Sequence, residues 1–189
     1  MSAPDDAPRS ALKIPLAQGA VIHVAHNAHD ALGDVEATIH IARQIAQRAP
    51  ALWAELLANR DKAGVQARLK AFQPMALIER FGGGLPRATL GCFCGYSASN
   101  PNQAAFFDLE AADSAVFLTA DDATLFAAVD ATPKIICSFS VNKTPALLSL
   151  PTPTDLQLRR AEVIANAPEF RARVAQALAA RIPVTNFQR

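Results

Sequence analysis

Residues 26–38 read HNAHDALGDVEAT and crowd His26, His29, Asp30, Asp34 and Glu36 into one short stretch where the pattern turns helical. The spacing of His29 and Asp34 across a loop-to-helix junction can set an imidazole and a carboxylate side by side in one cleft. That pair suits metal-assisted phosphoryl hydrolysis. A carboxylate oxygen is a hard ligand for Mg²⁺, and a neutral imidazole can take a proton from an attacking water. A competing reading needs no chemistry: Asp30 caps the helix and the histidines are solvated. Asp34 has Thr38 and Ile41 on its side of the helix, which places it at the edge of the buried face. Glu36 points about 200° away from Asp34 and cannot share a ligand with it.

The elements that must position these groups follow from periodicity. Leu32, Val35, Ile39, Ala42 and Ala46 repeat at helical spacing, so 31–48 is an amphipathic helix, with Arg43 and Arg48 toward the end where cations suit the dipole. Ala49-Pro50 stops it. Residues 51–70 read as a second helical stretch with a weak spot at Gly64 and Trp53 as a core anchor. After Pro74 the texture changes. MALIERF, RATLGCFCGY, QAAFFDLE, SAVFL and KIICSFSV are short, apolar runs separated by Gly, Pro, Asn and Asp, the pattern of a small β-barrel or sandwich. A helix over 121–130 interrupts them, and 154–181 returns to helix, with Pro168 opening a second segment. The first 20 residues, rich in Pro, Ala and Asp, read as a loose lead-in.

The net charge of the 189 residues is +1, yet it is segregated. Residues 60–103 carry 6 basic and 2 acidic side chains and 104–130 carry 6 acids and no base, so one face can be positive enough to meet phosphate. Arg80, Arg87 and Lys143, with Phe81, Phe93 and Tyr96, are the candidates for a single-strand surface, cations for the backbone and rings for the bases. Equally, the rings are core and the cations solvated. Gly82-Gly83-Gly84 lacks the Lys-Ser/Thr pair of a phosphate loop and reads as a turn. Cys92 and Cys94 could bind zinc with His23 or His26, but without a second cysteine pair they read as reduced thiols facing a barrel interior. With no run of about 18 apolar residues and no secretory pattern, the expectation is a cytoplasmic protein with no membrane span.

The stretch 27–38 resembles the third exonuclease motif of the DEDDh exonucleases, and within them bacterial exodeoxyribonuclease I. The similarity runs on through RAPALWAELLANRDK at 48–62, Arg80-Phe81-Gly82, residues 100–109, Asn142-Lys143-Thr144-Pro145 and Asn166-Ala167-Pro168. It implies an α+β chain: a lead-in at 1–19, terminal helices of a ribonuclease H-like exonuclease domain at 20–72, a small SH3-like β-barrel at 73–150, and C-terminal helices from 151 to 189. It implies a 3′–5′ exonuclease acting on single-stranded DNA in repair, with His29 as general base, Asp34 as a ligand of catalytic Mg²⁺, and Arg80, Arg87, Asn142 and Lys143 against DNA. The C-terminal tail of single-stranded DNA-binding protein is the implied protein partner. The family's Asp-x-Glu strand and middle aspartate precede the histidine motif, where this chain has 28 residues, so the chain is expected to be silent alone. A different class stays open, a non-catalytic single-strand-binding or protein-docking module. So does a permuted site in which Asp108 and Glu110, sharing one face of a strand, supply the missing Asp-x-Glu.

Overall fold

The computed structural model describes residues 10–15, 21–26, 31–80, 85–130 and 134–181, with side chains from residue 32 onward. The chain forms two compact units, residues 1–54 and 55–189.

In the first unit, β1 (Ser10–Pro15) and β2 (Val21–His26) pair antiparallel, Ser10 opposite His26 and Pro15 opposite Val21. Part of the expected lead-in is therefore a strand, and its partner begins the region expected to be helical. The helix α1 (Ala31–Arg48) matches its periodicity end to end and packs against β2. Its apolar stripe is open: Leu32, Val35 and Ile39 are 65%, 53% and 43% exposed, and only Ala37 is buried among the described side chains of α1. The next helix, α2 (Pro50–Ala58), crosses the division between the units; it buries no residue, and Trp53 is half-buried rather than a core anchor.

The predicted 51–70 helix breaks before α3 (Lys62–Lys70), at Asn59–Asp61 and not at Gly64. The cause is local. Asp61 caps α3, its two carboxylate oxygens accepting from the Ala63 and Gly64 amides at 3.1 and 2.9 Å. Asn59 turns inward, 1% exposed, and donates from Nδ2 to the Leu147 carbonyl at 2.8 Å. Arg68 completes the tie, donating to Asn59 Oδ1 and to Glu55 Oε1, both at 2.7 Å.

Five antiparallel strands form the sheet of the second unit: β3 (Met75–Glu79), β4 (Arg87–Tyr96), β5 (Gln103–Asp108), β6 (Ile136–Ser140) and β7 (Ala146–Ser149). Their order is β6-β5-β4-β3-β7. The chain-consecutive strands β6 and β7 thus stand at opposite edges with no ladder between them, so the sheet is open and not the closed barrel expected. The edge of β7 is blunted by side chains, the Leu147 carbonyl accepting from Asn59 and the Ser149 amide donating to Glu55 Oε1 at 2.6 Å.

Alternation divides the sheet's residues between two cores. Leu77, Phe93, Phe106, Phe139 and Leu147 pack with Val65 and Leu69 of α3 on one side. Cys92, Cys94, Phe107 and Ile136 face α4 (Ser114–Leu118), α5 (Asp122–Asp130), α6 (Asp155–Ala165) and α7 (Pro168–Ala180) on the other. Both faces are covered, which is why GCFCG and AAFFDL read as continuous apolar runs. SAVFL, expected as a strand, is the helix α4, capped by Asp113 Oδ1 accepting from the Ala115 amide at 3.0 Å; a five-residue apolar run carries no period that separates the two. The terminal helices α6 and α7 both pack on β4. A capping box of Thr154 and Gln157 opens α6, and Pro168 occupies the first turn of α7. Arg171 locks the corner, donating to the Ile164 and Ala165 carbonyls at 2.7 and 2.6 Å while its guanidinium lies 4.7 Å from the Phe72 ring centre.

Candidate nucleic-acid interface

His29 and Asp30 lie outside the described residues. Asp34 sits in the first turn of α1 and is exposed rather than at the edge of a buried face; its carbonyl accepts from Thr38 Oγ1 at 2.8 Å. Among the described residues no three His, Cys, Asp or Glu side chains are grouped so as to hold a metal ion. Asp34→Asn is expected to change folding stability by about 0.5 kcal/mol or less, the scale of an exposed first-turn acid with a helix dipole, read as an almost unmoved urea midpoint.

The permuted site is not built. Strand β5 ends at Asp108, and Glu110 lies in the following turn instead of on the same strand face. Asp108 is 6% exposed, and its Oδ1 accepts from the Glu110 and Ala111 amides at 2.9 and 3.1 Å, holding that turn. Glu110 Oε1 accepts from Gln157 Nε2 at 3.3 Å, tying the turn to α6.

The cysteines are free, and Cys92 and Cys94 are fully buried on the helix-covered face. Burial pushes the Cys92 thiol up to about 12, and Cys94 well above the ordinary thiol range for the same reason, so neither is a thiolate at neutral pH. Burial also raises Cys137.

The proposed DNA-facing residues divide. Phe93 is 4% exposed, and its ring meets that of the half-buried Tyr96 at 4.8 Å and that of Phe72 at 5.5 Å, both tilted, so it is core and no platform for a base. Phe81 and the glycines beside it lie outside the described residues. Arg80 follows β3, and Arg87 opens β4 directly across from Glu79; both are exposed. Asn142 and Lys143 are exposed on the turn between β6 and β7. The Lys143 amide donates to the Ser140 carbonyl at 3.3 Å and the Val141 amide to Asn102 at 2.8 Å, which fixes that turn.

Where β6 and β7 fail to pair, a groove of about 420 Å³ opens. Leu77 and Phe139 line it with the hydroxyl residues Ser138, Ser140 and Thr144, and Glu79 and Lys143 are its charged lining residues. Lys143 was legible from the basic pattern. Glu79 was not singled out, although it shares a strand face with the buried Leu77 two residues earlier, and that period of two was the available signal.

No family model and no curated protein sequence matches the chain. Solved structures do. A moderately thermophilic exonuclease I from Methylocaldum szegediense is similar at a TM-score of 0.68 and 18% identity, over 92% of this chain and 44% of that one. The chain has the fold of a portion of bacterial exonuclease I. The zinc-bound form of an E. coli exonuclease I complex with single-stranded DNA is similar at a TM-score of 0.64 and 24% identity, over 85% of this chain and 39% of that one. An exonuclease I structure with SSB and the inhibitor CFAM gives 0.63 and 21%, over 93% and 43%. The chain thus spans less than half the length of each of these exonuclease I chains.

Proposed function

We propose that the chain is the single-strand-binding part of an exonuclease I-like 3′–5′ exodeoxyribonuclease, silent in hydrolysis unless further carboxylates are supplied from outside it. The observation that carries this reading is the exonuclease I fold over nearly the whole chain, joined to the histidine motif at 27–38. In it His29 is the general base, Asp34 one ligand of catalytic Mg²⁺, and Arg80, Arg87, Asn142 and Lys143 meet the DNA backbone. The strand order, with consecutive β6 and β7 at opposite edges, supports an SH3-like reading of the sheet. The open apolar stripe of α1 supports a further layer of exonuclease domain over that helix. SSB, present with exonuclease I in one similar structure, is the proposed protein partner. No described helix is long and apolar enough to cross a membrane, and a cytoplasmic location suits a DNA substrate. The second reading, a binding or docking module with no part in hydrolysis, is favoured by the absence of a metal-holding group among the described residues.

Binding to labelled single strands at low salt tests the proposal. Because bound cations release counterions, log affinity is expected to fall linearly with log salt. Lys143→Glu and Arg87→Glu are each expected to weaken binding about tenfold and to flatten that slope, as loss of a phosphate contact does. Unchanged affinity in both variants would remove these residues from the interface.

A further inference from the structure

The groove between β6 and β7 holds a carboxylate that a purely phosphate-binding surface has no use for. Glu79 is half-buried, and among the described residues its carboxylate makes no hydrogen bond or ion pair. The carboxylate lines the groove as an acceptor that no described side chain claims by a hydrogen bond. Arg87 stands opposite Glu79 on β4; burial raises the Glu79 carboxylate above its ordinary range, and Lys134 offsets part of that rise. A phosphate beside Glu79 would be repelled. A group bearing N–H donors would be held, since an ionised carboxylate only accepts.

Lys143 lines the same groove, so one cavity offers a cation suited to phosphate and a carboxylate suited to an amine, with apolar Leu77 and Phe139 also in its lining. Its volume of about 420 Å³ lies in the range of small-ligand pockets. A nucleotide of a single strand presents that combination, phosphate at one end and base edge at the other. Acidic side chains read the exocyclic amino group of cytosine; thymine has a carbonyl at that position.

We propose that Glu79 makes this groove a base-reading subsite, accepting a hydrogen bond from the amino edge of cytosine while Lys143 holds the adjoining phosphate, so that the chain prefers dC over dT strands. This rests on the reading of the chain as a single-strand binder. The test is fluorescence anisotropy with labelled dC and dT homopolymers of roughly 15 nucleotides, using the full chain and the near-isosteric Glu79→Gln, which also keeps its melting temperature if folding is unharmed. The full chain is expected to bind dC about fivefold more tightly than dT, within the discrimination of one base contact, and Glu79→Gln, whose neutral amide oxygen accepts more weakly than a carboxylate, to reduce that preference to about twofold or less while keeping its affinity for dT. Equal affinity of the full chain for both strands overturns the subsite alone. A Glu79→Gln variant that gains equally on both shows that Glu79 only repels backbone, and also overturns it. Binding to neither strand at low salt removes the single-strand reading along with it.

Discussion

Phe107→Ala is expected to lower folding stability by about 4 kcal/mol, the upper range for truncating a buried aromatic. Phe107 is fully buried on β5, and its ring meets Phe117 of α4 at 5.5 Å and Phe170 of α7 at 6.5 Å, both edge-on. One side chain therefore joins the sheet to two helices distant in sequence, and its loss opens a cavity that neither can fill by a local shift. Gly91→Ala tests the same place by the opposite error. An added Cβ would come within 2.5 Å of the Phe106 ring and closer still to the Phe107 carbonyl, where backbone cannot give way, so a loss of about 3 kcal/mol is expected. Urea midpoints read both effects. A cost below about 1 kcal/mol for Phe107→Ala would mean that α4 and α7 do not sit on the sheet as described.

Elements with a sustained period were readable from the residues. The stripe of α1 recurs at five positions from Leu32 to Ala46, and α6 and α7 are separated by Asn166-Ala167 with Pro168 opening α7, so their limits follow from spacing and from proline chemistry. What failed was decided by distant contacts. Asn59 leaves the helix because it caps a carbonyl of β7, 88 residues away, and no local pattern contains that partner. SAVFL is held as a helix across the fold by Ser114 Oγ donating to the Arg160 carbonyl at 2.9 Å, while the Asp113 cap beside it was a local signal. The sheet's openness was invisible for the same reason, since strand alternation fixes which face is buried but not whether the edges meet.

The candidate site was read unevenly. Lys143 on the turn after β6, with Arg80 after β3 and Arg87 on β4, stands exposed as its charge suggested, whereas the aromatics beside them divided, Phe93 going into the core. Alternation in β4 could have foretold this, because Phe93 lies between two cysteines on the other face and the sheet is covered on both sides. Asp108-Leu109-Glu110 looked like a metal pair only while β5 was assumed to run on to Glu110. The strand stops two residues short because the Asp108 carboxylate closes the turn itself.

The largest functional effect expected is an absence. Two-metal phosphodiester hydrolysis places several carboxylates around two cations about 4 Å apart, so that attacking and leaving oxygens are both stabilised. Asp34 alone does not supply that arrangement, and a general base acting without a polarised water contributes only about 10²–10⁴ of the rate enhancement. The purified chain is therefore expected to leave single-stranded DNA intact with Mg²⁺ or Mn²⁺, and His29→Ala is expected to change nothing in that assay.

The most direct test reads binding and cleavage on one sample: a 5′-labelled single strand incubated with the chain and Mg²⁺ at low salt, then divided between a native and a denaturing gel. The expected result is a retarded band on the native gel, weakened by Lys143→Glu, and full-length strand on the denaturing gel. An unretarded strand at low salt, or a ladder of 3′-shortened products that disappears in His29→Ala and Asp34→Ala, would contradict the reading of this chain as a DNA-binding part that cannot cut alone.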